Sequence, residues 1–231
     1  MLRDMSAESA MEHYEAALPY RDMIVGIGLD SDEYLRPPSL FEAVFARARA
    51  DGFHLTCHCD VGQYDTHENI RQVASTVGGT GAERIDHGLN AAQKPELINL
   101  IREKGLGMTI CPWAYFRHEP VDEIFPRIRT LYEAGLKITI ASDDPAYMED
   151  CWILHNMLLT KSRCGFSDMD MAKLVENAVD MCWAPEELKK SILEEIEKVE
   201  KSEFERDAGA VPVSRTSGVP IDWQTTSEMK T

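Results

Sequence analysis

"KITIASDDPAYMED", Lys137 to Asp150, carries both the architecture and the chemistry of this chain. It begins as a β-branched strand, Lys137–Ala141, and finishes on two adjacent carboxylates, Asp143 and Asp144, ahead of a proline. Like charges this close raise each other's pKa unless a cation or a hydrogen-bond donor stands between them. A metal ion at the strand end is one explanation. An ordinary strand-to-helix turn is the other, because Asp and Pro both favour turns.

Upstream, the same rhythm recurs. Apolar, β-rich runs stand at Ile24–Leu29, His54–Cys57, Glu83–Asp86 and Gly107–Cys111, each separated from the next by a helical pattern at the spacing of a βα unit. "SLFE" (Ser39–Glu42) and "DTHE" (Asp65–Glu68) read as capping boxes. Phe41, Val44, Phe45 and Ala48 then follow one helical face, as do Ile70, Val73, Ala74 and Val77. Gly78 and Gly105 mark helix ends. Five such strands predict an α/β protein with a parallel sheet buried on both faces. One amphipathic helix, Ala7–Leu18, precedes the first strand. Three more, about Met148–Arg163, Asp168–Cys182 and Pro185–Arg206, follow the last. Residues 1–206 read as one domain, and the Pro-, Gly- and Ser-rich remainder, 207–231, as a disordered or surface-draped tail.

The totals narrow the function. A formal charge of −16 over 231 residues argues against nucleic acid and anionic membranes as partners, since both are bound by clustered Lys and Arg. No apolar run approaches the length of a membrane span, and the first residues lack a secretory core, so a cytoplasmic location is expected. Six scattered cysteines read as reduced thiols.

In parallel α/β folds, reactive groups gather where strands end at their carboxyl side. Here those ends are "GLDSDE" with Asp30, "HLTCHCD" with His58 and Asp60, "RIDHG" with Asp86 and His87, "ICPW" with Cys111, and "SDDP" with Asp143 and Asp144. Such convergence of carboxylates and imidazoles is the pattern of a metal-assisted site. His13, His54, His67, His118 and His155 lack comparable partners in sequence and read as structural. Cys57 and Cys59 flank His58 on the strand, so they point to the opposite face and are expected against the helices.

"GLDSDEYLRPPSLFEAVFARARADGFHLTCH", "ERIDHGLNA", "GMTICP" and above all "ITIASDDPAY" resemble the adenosine and adenine deaminase family of the amidohydrolase superfamily, from about Ala10 to Leu193. The combination of "RIDHG" with "SDDP" is the specific part, and "GLDS" with "DDPAY" is closer to the microbial adenine deaminase-like branch. The resemblance implies a partial (β/α)8 barrel with about five parallel strands plus C-terminal helices. It implies Zn2+ as cofactor, with His58 and Asp143 as metal ligands, His87 as a catalytic residue orienting the attacking hydroxide, and Asp144 contacting the purine ring at N7.

Two departures accompany the match. The family reads His-Ala-Gly-Glu where this chain reads "HCDV", so Asp60 is the nearest candidate for the acid, with Glu68 second. The family's His-x-His pair occurs nowhere here, and five strands cannot close an eight-stranded barrel. The expectation is that Met1 is not the true start or that another chain completes the site, with self-association through unpaired sheet edges. "CPWAYFRH" also departs from the usual Ser-Asn after the proline. The expected function is zinc-dependent hydrolytic deamination of a small 6-aminopurine. The alternatives are an inactive truncated homologue acting as a binding or assembly partner, and another amidohydrolase activity.

Overall fold

A computed structural model of the chain describes residues 1–149 and 151–209. Five parallel strands form one sheet in the order β1-β2-β3-β4-β5: β1 Gly26–Leu29, β2 His54–Cys59, β3 Arg84–His87, β4 Gly107–Ile110 and β5 Lys137–Ile140. Each strand lies beside its successor. A doubly wound sheet reverses direction at a switch point, whereas a singly wound barrel wall does not, and this order is the second kind. The expected α/β architecture, a partial barrel of five parallel strands with following helices, is what the chain adopts.

The helices are α1 (Ala7–Ala17), α2 (Glu42–Ala50), α3 (Thr66–Ser75), α4 (Pro95–Lys104), α5 (Pro112–Tyr115), α6 (Val121–Glu133), α7 (Ile153–Cys164), α8 (Asp168–Met181) and α9 (Glu186–Gly209). Helix-facing strand residues form the core: Leu55, Cys57, Ile85, Met108, Ile110 and Ile138 are all fully buried. The other face carries Thr56, His58, Asp86, Thr109 and Thr139. The strands therefore alternate, rather than running apolar on both faces. A face that lines a polar interior has no use for continuous Val and Ile.

Local starts differ from the sequence reading in an instructive way. Ser39 lies in a 3-10 turn, Pro38–Phe41, and its N–H goes to Gln72 at 3.0 Å, so α2 begins at Glu42 without a side-chain cap. Asp65 sits in the left-handed region, φ 55°, where its side chain does not cap α3. Glu68 instead pairs with Arg71 on the helix surface. Gly105 does end α4, at φ 67°. The two sheet edges are treated differently. At β5, α8 sends Asn177 Nδ2 to the Ile138 carbonyl at 3.0 Å, while at β1 the Met1 ammonium donates to Gly28 O at 2.7 Å and Leu2 bridges Asp30. Beyond Gly209, the tail expected from residue 207 lies outside the described residues. No described helix is long and apolar enough to cross a membrane.

Candidate active site

Strand β2 delivers His58 and, one step past its end, Asp60; β3 delivers His87; the turn after β5 delivers Asp143. His58, His87 and Asp143 line a cavity of about 530 Å³, together with Asp86, Thr109 and Cys111. One ligand-type atom from each of His58, Asp60 and His87 lies within 4.8 Å of the others, and the same holds for His87, Cys111 and Asp143.

Register alone would not produce this. His87 pairs with Cys59 across the ladder, a position that faces the helices in a regular pleat. The left-handed backbone of His87, φ 64°, re-aims its ring, which meets His58 edge-on at 4.4 Å between centroids. Asp143 is left-handed too, at φ 58°. Non-glycine residues occupy that region at a cost, and such strain gathers at functional sites.

His58 is held from behind. Its Nδ1 lies 2.8 Å from Glu33 Oε1, a carboxylate 2% exposed that also accepts the Asp60 N–H at 2.8 Å and Asn69 Nδ2 at 3.0 Å. With Nδ1–H assigned to Glu33, the Nε2 lone pair is left for the cavity side, where Asp30 Oδ1 stands 3.8 Å away. Burial opposes the charged imidazole most strongly, but the Glu33 hydrogen bond and the Glu33, Asp60 and Asp30 charges together raise its pKa. His87, 2% exposed, goes the other way: burial and then the His58 charge push it down to about 3, so it is neutral near pH 7. The Tyr115 hydroxyl accepts from the Cys111 N–H at 2.9 Å and lies 3.3 Å from His87 Nδ1. With the hydroxyl proton assigned to Nδ1, the Nε2–H tautomer remains.

Both site carboxylates are raised. Asp143 is pushed up to about 6 by burial, then by Asp144 and Asp60, and it forms no ion pair among the described residues. Asp60, 7% exposed, is raised by burial against the opposing His58 charge and the Val61 N–H, which donates to Oδ1 at 2.7 Å. Asp86 needs no further partner, since Thr56 and Thr109 hydroxyls donate to its two oxygens at 2.7 and 3.0 Å.

This donor set fits a divalent cation. A half-buried carboxylate that forms no ion pair among the described residues and an imidazole whose far nitrogen is bound to a buried carboxylate are the surroundings metal-ligating groups use. The flanking thiols do not join them: Cys57 and Cys59 are core residues, with burial raising both pKa values, as their opposite-face position implies.

Of the residues expected at the site, His58, Asp60, His87 and Asp143 come together. Asp144 is exposed and precedes the short turn Pro145–Tyr147 without a side-chain capping hydrogen bond. Glu68, engaged with Arg71, is not among the residues lining the cavity. The sequence reading missed Glu33, Arg3, Tyr115 and His118. Glu33 lay inside the quoted "GLDSDE", Tyr115 and His118 inside "CPWAYFRH", but nothing in sequence alone links them to His58 or Asp60.

A family model described as "Adenosine deaminase" matches residues 1–199. An uncharacterized deaminase of Schizosaccharomyces pombe is 42% identical over 195 residues, covering 84% of this chain and 56% of that protein. An adenine deaminase of Rhodospirillum rubrum is 35% identical over 184 residues, covering 79% and 53%. The chain thus spans about half the length of the curated relatives it matches. Among solved structures, the adenine deaminase of Arthrobacter aurescens superposes with a TM-score of 0.78 at 29% identity, covering 87% of this chain and 60% of that one. An amidohydrolase of Burkholderia ambifaria with bound Zn gives 0.77 at 26%, covering 87% and 57%. On the family match over residues 1–199 and on the fold these strand ends share with those structures, the chain belongs to the adenosine deaminase family.

Proposed function

We propose that this chain contributes the reacting strand ends of a zinc-dependent hydrolase that replaces the 6-amino group of a purine with oxygen, consuming water and releasing ammonia. The observation that carries the reading is the convergence of His58, His87 and Asp143 on one cavity, with an Asp60 carboxylate oxygen within 4.8 Å of ring nitrogens of His58 and His87, in a chain of this family. Adenine deaminases among its relatives and a zinc-bound neighbour support the substrate class and the metal.

His58, through Nε2, and Asp143 would hold the zinc. When bound, it supplies Lewis acidity that brings the pKa of water toward neutrality. His87, kept neutral by burial, holds the attacking water in place through its free ring nitrogen. Asp60 keeps its proton to higher pH than an exposed carboxylate and delivers it to a ring nitrogen of the purine. Asp144, at the rim, contacts the bound ring at N7. Six free cysteines agree with a reducing, cytoplasmic setting.

Elemental analysis after dialysis against metal-free buffer, with an ammonia-release assay on adenine and adenosine, tests this reading. Retained zinc that is lost in His58→Ala and in Asp143→Ala supports it. Zinc binding unaffected by either substitution, or absent from the wild type, refutes the ligand assignment.

A further inference from the structure

The segment after β4 folds back over the β2–α3 turn and brings His118 against Asp60. Nε2 of His118 lies 4.0 Å from Oδ2 of Asp60. The other oxygen is already engaged: Val61 N–H donates to Oδ1 at 2.7 Å, and His87 Nδ1 stands 3.9 Å from it. Among the described residues, His118 and His87 are the basic side chains paired with the Asp60 carboxylate within 4.0 Å.

The approach is built into the backbone on both sides. Gly62 has φ 71°, and a Cβ there would come within 3.1 Å of the His118 Cβ. On the opposite side, the His118 N–H donates to the Tyr115 carbonyl at 2.9 Å. Tyr115 is itself fully buried and anchored through its hydroxyl to Cys111 and His87. The contact therefore bridges a carboxylate 7% exposed and an imidazole whose side chain is 38% exposed. At 4.0 Å it is within ion-pair range but longer than a hydrogen bond, and such contacts in ligand-free sites often close only with substrate bound.

We propose that His118 is a positioning residue for Asp60, an inference that rests on Asp60 acting as the proton donor. The terminal torsion of an aspartate is broad, so a carboxylate tethered at one oxygen can still swing about that tether. Val61 N–H engages Oδ1; His118 engages Oδ2; together they fix the carboxylate plane beside His58 and His87.

The test combines steady-state deamination of adenine with crystallography, on wild type, His118→Ala, His118→Gln, Asp60→Asn and the Asp60→Asn/His118→Ala double variant. His118→Ala is expected to lower kcat about 10- to 100-fold, the usual scale for a group orienting a reacting residue. KM should stay within about twofold of wild type, because no ground-state contact is removed. His118→Gln, which restores a donor, should recover most of the loss, and His118→Ala should cost nothing further in an Asp60→Asn background. An undiminished kcat in His118→Ala, or losses that multiply in the double variant, overturns the proposal. The structural arm needs no turnover. Rotation of the Asp60 carboxylate by more than roughly 30° in His118→Ala supports the assignment, and an unmoved carboxylate overturns it. A wild-type chain that releases no ammonia from 6-aminopurines defeats the deamination reading, while the crystal structures still decide for or against His118.

Discussion

The Glu33 carboxylate fastens the His58 imidazole from the side away from the cavity: Nδ1 to Oε1 is 2.8 Å, and the Arg3 guanidinium lies 3.3 Å from the same oxygen. Arg3 and Glu33 are both fully buried at their side chains, and Arg3 Nη1 also donates to the His58 carbonyl at 2.8 Å. One buried carboxylate thus sets the ring's tautomer and, through the Asp60 N–H, the path of the chain beyond β2.

Glu33→Gln keeps the shape and removes the charge. Breaking a buried ion pair from one side costs on the order of 3–5 kcal/mol, because the other charge stays buried and unpaired. Urea denaturation should show that loss. On the proposed ligand role of His58, a competition titration with a zinc chelator should show affinity weakened about 10- to 100-fold, the usual effect of removing the partner of a ligating His. Unchanged zinc affinity beside lowered stability would confine Glu33 to the fold.

Asp143, raised from 3.8 to about 6, has a consequence for stability against pH. Between those values the native state holds a proton that the unfolded chain has released. Stability of the metal-free protein therefore falls as pH rises through that window and levels off above it. Asp143→Asn abolishes this contribution, so the difference between wild-type and variant unfolding free energies should change between pH 4 and 6.5 and be flat from 6.5 to 8. A difference independent of pH over the whole range refutes the raised pKa.

His87 shows the opposite sign. Its depressed pKa, about 3, means the unfolded chain binds a proton that the native state refuses, so the contribution to stability is present above pH 6.5 and is lost as pH falls toward 3. NMR titration of the metal-free protein should find the His87 ring neutral from pH 8 down to pH 5, and a midpoint above 6 would contradict its burial.

Tyr115→Phe deletes the hydroxyl that serves both Cys111 N–H and His87 Nδ1. A buried N–H left without a partner costs about 1–3 kcal/mol. Thermal unfolding should show the loss, and the His87 ring should lose its fixed tautomer in nitrogen NMR spectra.

At the far end of the sheet, Gly26 lies under the Trp183 indole, which stacks on His54 at 4.9 Å and receives the Arg84 guanidinium at 3.8 Å. A Cβ at residue 26 would fall 2.3 Å from Trp183 Cζ3 and 2.9 Å from the His54 carbonyl. Gly26→Ala should destabilise the protein by about 1–3 kcal/mol through overpacking, with changed indole fluorescence. Wild-type stability would show that Trp183 moves aside without cost.

Much of the scaffold was legible because it is local. The βα spacing and the apolar face of each helix are short-range patterns, and all five strands appear within two residues of the expected bounds. The capping boxes failed for an equally local reason: Ser39 and Asp65 entered a 3-10 turn and a left-handed bend, conformations a four-residue motif does not specify. His58, Asp60, His87 and Asp143 were recognisable from their places at strand ends, since parallel strands bring those ends to one rim. His118 was read as structural because its sequence context offers no partner; Asp60 lies 58 positions away, and only the fold of the loop after β4 brings them within 4.0 Å.

The order of residues by itself determined the parallel α/β architecture, the strand ends where the candidate site residues gather and the acidic character of the chain, since each follows from periodicity, spacing or composition. Tertiary structure alone decided which groups support them: Arg3 and Glu33 behind His58, Tyr115 behind His87, His118 beside Asp60, and the left-handed backbones that aim His87 and Asp143. Buried polar groups find partners wherever packing leaves a donor opposite an acceptor, and that pairing depends on the closure of several elements at once rather than on neighbours in the chain.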